Sequence, residues 1–233
     1  MKFRLSVLLV TVVITAATSS LFLMPAVADE PSFAEATRDP YQQPPEKSIN
    51  GKSIAEMKAK VEKLWGDIEL ESDGKPVRSV ATLQTDAGDI EIEFYGKDAP
   101  GHVRSFIALS MAGFYDGLIF HRCVPGFVIQ GGCPKGDGTG GPGYCVKPEF
   151  NKRKHKRGVL SMARAQPEDS AGCQFFICVD AVPFLDGKYT AFGEVTTGMD
   201  VVDKIVRAPR NAADRPNDPV KIKSVKVTTK KAP

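Results

Sequence analysis

The sequence lacks any Cys-x-x-C pair, and its three histidines, His102, His121 and His155, are scattered. The spacing a structural zinc site needs is therefore missing, and no metal is expected. It also lacks a strong excess of charge: 31 basic against 28 acidic residues give +3 at pH 7. So small a balance gives no whole-molecule attraction toward nucleic acid or anionic membranes. Gly138-Thr139-Gly140-Gly141 has the glycines of a phosphate loop but no Lys-Ser/Thr after it, so it reads as a loop beside a binding groove. No cofactor is expected. The basic run Lys152-Arg153-Lys154-His155-Lys156-Arg157 reads as a solvated loop before a strand, with polyanion binding as the weaker reading. Collagen-like repeats and miniprotein cysteine density are absent as well. What remains, 42% apolar and 25% charged residues, is ordinary for a globular domain able to build a core.

The first 28 residues differ from the rest. Lys2 and Arg4 precede an almost unbroken apolar or small stretch from Leu5 to Val27, and Ala26-Val27-Ala28 supplies small residues before Asp29. That is the plan of a secretory signal peptide cleaved at Asp29. The apolar run is long enough to keep an uncleaved membrane anchor as the competing reading. Either way the domain is expected outside the cytoplasm, periplasmic or secreted. Loss of residues 1–28 removes Lys2 and Arg4 and none of the acidic residues, lowering the net charge from +3 by two. Export permits disulfides, and five cysteines (Cys123, Cys133, Cys145, Cys173, Cys178) leave at least one thiol unpaired in a monomer. A pair among Cys133, Cys145 and Cys173 and a set of buried free thiols both stand as readings.

Residues 29–50 are rich in Pro, Glu, Asp and Gln and read as a flexible spacer. Ile54, Met57, Val61 and Leu64 then fall at helical spacing, with Ser53 as N-cap. We place a leader at 29–76 and the main domain at 77–233, which is expected to fold without the leader. From Val77 the texture is β. Ser79–Gln84 and Asp89–Phe94 form a hairpin pattern around Asp86-Ala87-Gly88. Asp98 and Pro100 open a helix whose apolar stripe is Val103, Phe106, Ile107 and Met111. Further strands are expected at Leu118–Arg122, Phe127–Gln130, Gly158–Ala163, Gln174–Val179, Ala191–Val195 and Val220–Thr228, with a second helix near Gly198 to Val206. Many short strands and two separated helices suggest a mainly β fold, a closed antiparallel barrel capped by helices. Periodicity alone would also fit a sandwich.

Three segments carry chemistry. They are Phe120-His121-Arg122-Cys123-Val124-Pro125-Gly126-Phe127-Val128-Ile129-Gln130-Gly131-Gly132; Leu160-Ser161-Met162-Ala163-Arg164-Ala165 with Ala171-Gly172-Cys173-Gln174-Phe175-Phe176-Ile177; and Pro183-Phe184-Leu185-Asp186-Gly187-Lys188-Tyr189-Thr190-Ala191-Phe192-Gly193. In order and spacing they resemble the cyclophilin family of peptidyl-prolyl isomerases, over about Val80 to Val227. The resemblance implies an eight-stranded antiparallel barrel closed by two helices, with a peptide groove on its outer face. It implies Arg122 as the catalytic side chain and Phe127, Phe176 and Leu185 as floor and walls of a proline pocket. Gln130 would hold the substrate backbone, and Ala163 with the main chain at Arg164 would edge the groove. His121 is expected to order the groove or bond internally rather than act as a base.

This chain also departs from the family pattern. Val128 stands where Met is usual, Cys133 where Asp is common, and Cys173 where Ser precedes Gln-Phe-Phe. Phe184 replaces a frequent Trp, so high cyclosporin affinity is not expected, and Tyr189 replaces a frequent His. The last two choices are familiar in bacterial relatives. The resulting expectation is a monomeric, non-covalent isomerase acting on proline-containing segments of exported polypeptides, with no nucleic-acid partner. A catalytically weak proline-peptide-binding module is the alternative, on the strength of Val128.

Overall fold

Alternation of side chains organises the strands, because successive residues of a pleated chain face opposite ways. The computed structural model describes residues 31–38, 44–72 and 75–231. The signal or anchor segment expected at 1–28 lies outside the described residues. In chain order the elements are α1 (Phe33–Ala36), β1 (Thr37–Arg38), α2 (Ile54–Trp65), β2 (Glu71–Ser72), β3 (Lys75–Thr85) and β4 (Gly88–Phe94). They continue with α3 (Pro100–Met111), β5 (Phe120–Val124), β6 (Val128–Gly131), β7 (Cys145–Val146), β8 (Val159–Met162) and β9 (Phe175–Cys178). A 3-10 turn at Pro183–Leu185, β10 (Ala191–Thr197), α4 (Met199–Val206) and β11 (Ile222–Lys231) complete the fold.

The protein is mainly antiparallel β. The main path of its large sheet runs β11-β3-β4-β10-β8-β9-β6-β5, with β2 added beside β3. The expected closed barrel is not found as a continuous ladder. The end strands β5 and β11 meet at one isolated bridge, Ile119 to Lys221. Two backbone bonds flank it, Phe120 N–H to Val220 O at 3.0 Å and Ile222 N–H to Leu118 O at 2.8 Å. Farther along β5 the Cys123 amide donates to Asp214 O at 2.8 Å, so a loop rather than β11 covers that edge.

One face of the sheet and the helices enclose the main core, which includes Leu83, Ile90, Ile92, Phe106, Ile129, Leu160, Phe175 and Ile177. The central strands are apolar on their second face too. Val128, Val159, Phe176 and Cys178 alternate with core residues and build a separate outer cluster with Val182, Leu185 and Ala191. Covering both faces of the same strands gives this fold a second apolar site outside its core.

The helices differ from expectation in instructive ways. Asp98 does not cap α3: the N-cap is Ala99, and Glu149 reaches in from a distant loop to accept from Gly101 N–H and His102 N–H, both at 2.9 Å. Asp98 pairs instead with Arg153 at 2.8 Å. Met111 is 56% exposed and is not part of the buried stripe. Ser53 does cap α2, accepting from Glu56 N–H at 3.4 Å. Ile54, Met57, Val61 and Trp65 of α2 are buried in the main core. Nor is the chain before α2 a detached spacer where it is described. Phe33 meets Trp65 and Tyr144 edge-on at 5.3 and 5.1 Å, and β1 pairs with β7.

Candidate active site

Cross-strand register places the site residues in a row. Arg122 lies opposite Gln130, Gln130 opposite Phe176, and Phe176 opposite Ser161. Directly opposed residues share a face of the sheet, so β5, β6 and β9 present Arg122, Gln130 and Phe176 side by side. The tight turn after β5 returns Phe127 beneath the Arg122 guanidinium, whose carbon lies 5.7 Å from the ring centroid. Phe184 stacks on Phe127 at 5.6 Å and is itself 61% exposed. Among the described residues Arg122 has no ion pair. Its half-buried donors therefore face an apolar ring rather than a carboxylate.

The outer cluster forms the adjoining slot. Val128, Phe176 and Leu185 are buried within it, and Phe127, Ala163 and Tyr189 lie partly exposed around it. Tyr189 meets Phe176 edge-on at 6.0 Å. Gln130 Nε2 donates to Gln174 Oε1 at 3.1 Å, while Gln174 Nε2 donates to the carbonyls of Gly138 and Gly140 at 2.9 Å each. Beyond Gln130 a cavity of about 150 Å³ opens, lined by Gly140, Ala163, Arg164, Cys173 and Gln174 among others. The Gly138-Thr139-Gly140-Gly141 loop is its wall.

Two predicted residues behave differently from the rest. Arg164 lies over Tyr189 at 4.6 Å, but its guanidinium donates to the carbonyls of Ala165, Gln166 and Lys188. Its charge is thus tied to main chain at the rim. His121 is buried, and neither ring nitrogen has a hydrogen-bond partner among the described residues, so the expected internal bond is not made. Burial, with the nearby positive charges of Arg215 and Arg122, pushes its pKa down to about 4 despite Asp137. Backbone at Ile119 pulls weakly the other way without the geometry of a hydrogen bond. A neutral His121 beside Gly138 fills space at neutral pH.

All five cysteines are buried, and none is joined in a disulfide among the described residues. Burial pushes the thiols of Cys123 and Cys178 up to about 12. Cys133 holds the cavity loop, because its Sγ accepts from the amides of Gly138 at 3.2 Å and Gly140 at 3.3 Å. Acceptance of amide hydrogens is what a carboxylate at that position would offer, so the thiol keeps the function in weaker form. Gly132, at φ +82°, must be glycine, because a Cβ there would sit 2.5 Å from the Cys173 carbonyl.

Four of the five Lys and Arg side chains of the basic run are paired with carboxylates. Arg153 pairs with Asp98, Lys154 with Asp186, Lys156 with Glu194 and Arg157 with Asp203. Its His155 turns inward, a role the sequence pattern did not reveal. Gln174, which ties Gln130 to the loop, also went unrecognised, although its place one residue before Phe175 and two before Phe176 put it on the Phe176 face.

The sequence model of the family described as "Cyclophilin type peptidyl-prolyl cis-trans isomerase/CLD" matches residues 80–227. A peptidyl-prolyl cis-trans isomerase of Synechococcus elongatus is 50% identical over 149 residues, covering 64% of this chain and 96% of that protein. Peptidyl-prolyl cis-trans isomerase B of Bacillus subtilis is 52% identical over 120 residues, covering 51% and 83%. A solved cyclophilin type isomerase of Cryptosporidium parvum, in the presence of the dipeptide Ala-Pro, aligns at TM-score 0.62 with 34% identity, covering 64% of this chain and 98% of that one. With a row of motif residues assembled around one apolar slot and a family match over most of the sheet, this chain belongs to the cyclophilin-type peptidyl-prolyl cis-trans isomerases.

Proposed function

We propose that Arg122 is the catalytic group of this isomerase and that the Phe127, Val128, Phe176 and Leu185 slot receives the proline ring. Rotation about the amide must break its resonance, a barrier of roughly 18–20 kcal/mol. In the twisted transition state the prolyl nitrogen regains a lone pair, and a fixed guanidinium donates to it more strongly than to the planar ground state. Arginine suits this role because it stays protonated and its donors lie in one plane. The slot holds the pyrrolidine while the preceding residue turns; Gln130, Ala163 and the Arg164 main chain hold the peptide. Phe184 and Tyr189 flank the ring site, and the adjoining cavity offers room for a neighbouring side chain. No covalent intermediate is required.

The observation that carries this reading is the placement of the Arg122 guanidinium over Phe127, without an acidic partner among the described residues, beside the slot. Arg122→Ala is expected to lower kcat/KM on a short X-Pro peptide at least tenfold, about 1.4 kcal/mol of transition-state stabilisation, with an unchanged melting temperature. Undiminished activity in that folded variant would falsify the assignment.

We also read the protein as exported, acting in the periplasm or outside the cell on proline-containing segments of exported polypeptides, as a monomer whose sheet ends meet to close a barrel. The support for export is the basic, apolar and Ala26-Val27-Ala28 sequence of the first 28 residues. Intact-mass measurement of the full chain expressed in a bacterial host is expected to give a mature protein beginning at Asp29. An unprocessed cytoplasmic product would remove this reading.

A further inference from the structure

Behind the slot lies a buried polar chain that the isomerase reaction does not use. His155 is 2% exposed, and its ring sits between a carboxylate and a hydroxyl. Nδ1 lies 3.2 Å from Asp186 Oδ1, and Nε2 lies 3.0 Å from Ser161 Oγ. The same Asp186 oxygen accepts the His155 backbone N–H at 2.8 Å, and Ser161 Oγ also lies 2.9 Å from Thr190 O. With Nδ1–H donating to the carboxylate, Nε2 of the neutral ring is an acceptor, and the single Ser161 hydrogen is shared between it and the Thr190 carbonyl.

Asp-His-Ser in this order looks like the relay of a hydrolase. It is not one: Ser161 shares the outer face with Phe176 but is fully buried beneath the outer cluster, so no substrate carbonyl can approach its hydroxyl. The chain instead spans the elements that build the proline slot. Asp186 directly follows Leu185, and Ser161 lies opposite Phe176 on the neighbouring strand. The His155 ring stacks on Phe176 at 6.1 Å with 23° between the planes. Tyr189 packs against Phe176 edge-on. Buried aromatic rings held by hydrogen bonds lose their rotameric freedom to the fold rather than on binding, and preorganised pockets bind more tightly for that reason.

We propose that His155 is a positioning residue of the proline slot: anchored by Asp186 and Ser161, it fixes the Phe176 ring and, through Asp186, the Leu185 wall. This deepens the slot assignment above and rests on it. His155 touches no reacting atom, so its contribution is to peptide binding, common to ground and transition states, and not to the rotation itself. It therefore predicts a split that general destabilisation does not.

The test uses the whole protein and an Ala-Pro-containing peptide, with affinity read by NMR shift titration and on-enzyme cis–trans exchange by line shape at saturation. His155→Ala is expected to weaken affinity about fivefold while bound-state exchange stays within twofold of wild type. Asp186→Ala, which leaves the ring but removes its anchor, is expected to weaken affinity about threefold and decides the matter if His155→Ala does not fold. Asp186→Asn, which retains the acceptor for the His155 amide, is expected to restore most of that loss. Arg122→Ala serves as the opposite case, with exchange lost and affinity nearly kept. If Arg122→Ala behaves so and both anchor variants bind like wild type, or lose exchange rather than affinity, the positioning role is overturned and the slot reading survives. If Arg122→Ala leaves exchange intact, the slot reading itself falls.

Discussion

His121 stands next to the cation assigned to catalysis and is a group whose ionisation the fold opposes. Its pKa lies near 4 in the folded chain against an unfolded value of 6.5, with burial as the main cause. Between those values the unfolded chain takes up a proton that the folded chain refuses, so stability is fully present above pH 6.5 and declines as pH falls toward 4. At about 1.36 kcal/mol per pKa unit the loss is on the order of 3 kcal/mol. His155, also lowered by burial, adds loss in the same direction. Urea unfolding at pH 7 and pH 4.5 is expected to show this fall, and His121→Leu to flatten part of it. An equally steep profile in that variant would mean that carboxylates, not His121, set the slope. The arginine, phenylalanines and glutamine of the site were legible in the sequence because contiguous motifs carried them. The His155 anchor was not, because Asp186 lies 31 residues away and the basic neighbours of His155 concealed an inward-facing ring.

At the scale of elements, helical spacing found α2 with Ile54, Met57 and Val61 of its stripe, and β alternation found β4, because local periodicity dictates both. Position relative to the rest was hidden. Nothing local says that α2 lies on α3, or that a helix so packed buries every residue from Gly101 to Ser110. Nor does a sequence show that the amides at the start of α3 belong to Glu149. Trp65, the single tryptophan of the chain, makes the docking measurable. It is 2% exposed, donates from Nε1 to Pro31 O at 3.1 Å and lies under Arg104 at 5.9 Å. If residues 44–72 are integral, fluorescence of Trp65 and far-UV circular dichroism should report one coincident urea transition. Trp65→Ala should then lower the stability of the whole by about 3–5 kcal/mol. An earlier fluorescence transition with the β signal intact would restore the view of the leader as a dispensable attachment.

For the molecule as a whole, what matters is whether two ends of a sheet behave as edges. An open edge presents unpaired amides to water and to other chains. Here the β5 edge is occupied in patches: the Gly117 amide bonds to Ile222 O, the Phe120 amide to Val220 O and the Cys123 amide to Asp214 O, and from the other side the Ile222 amide reaches Leu118 O. A bridge of one residue pair gives little cooperativity by itself. Its neighbours Leu118, Phe120 and Ile222, however, are fully buried in the main core, so opening this seam would expose the same apolar surface as unfolding. On the proposed reading, closure rests on packing more than on ladder bonds. Amide hydrogen exchange separates the cases, since groups released only by global unfolding share its free energy and edge groups exchange by small local openings. We expect the amides of Phe120 and Ile222 to be as protected as those of Leu83 and Ile92 in β3 and β4, and to respond equally to added urea. Fast, urea-independent exchange at Phe120 and Ile222 would show that the sheet ends in two edges, and that the groove beside Arg122 is carried by an open sheet rather than a barrel wall.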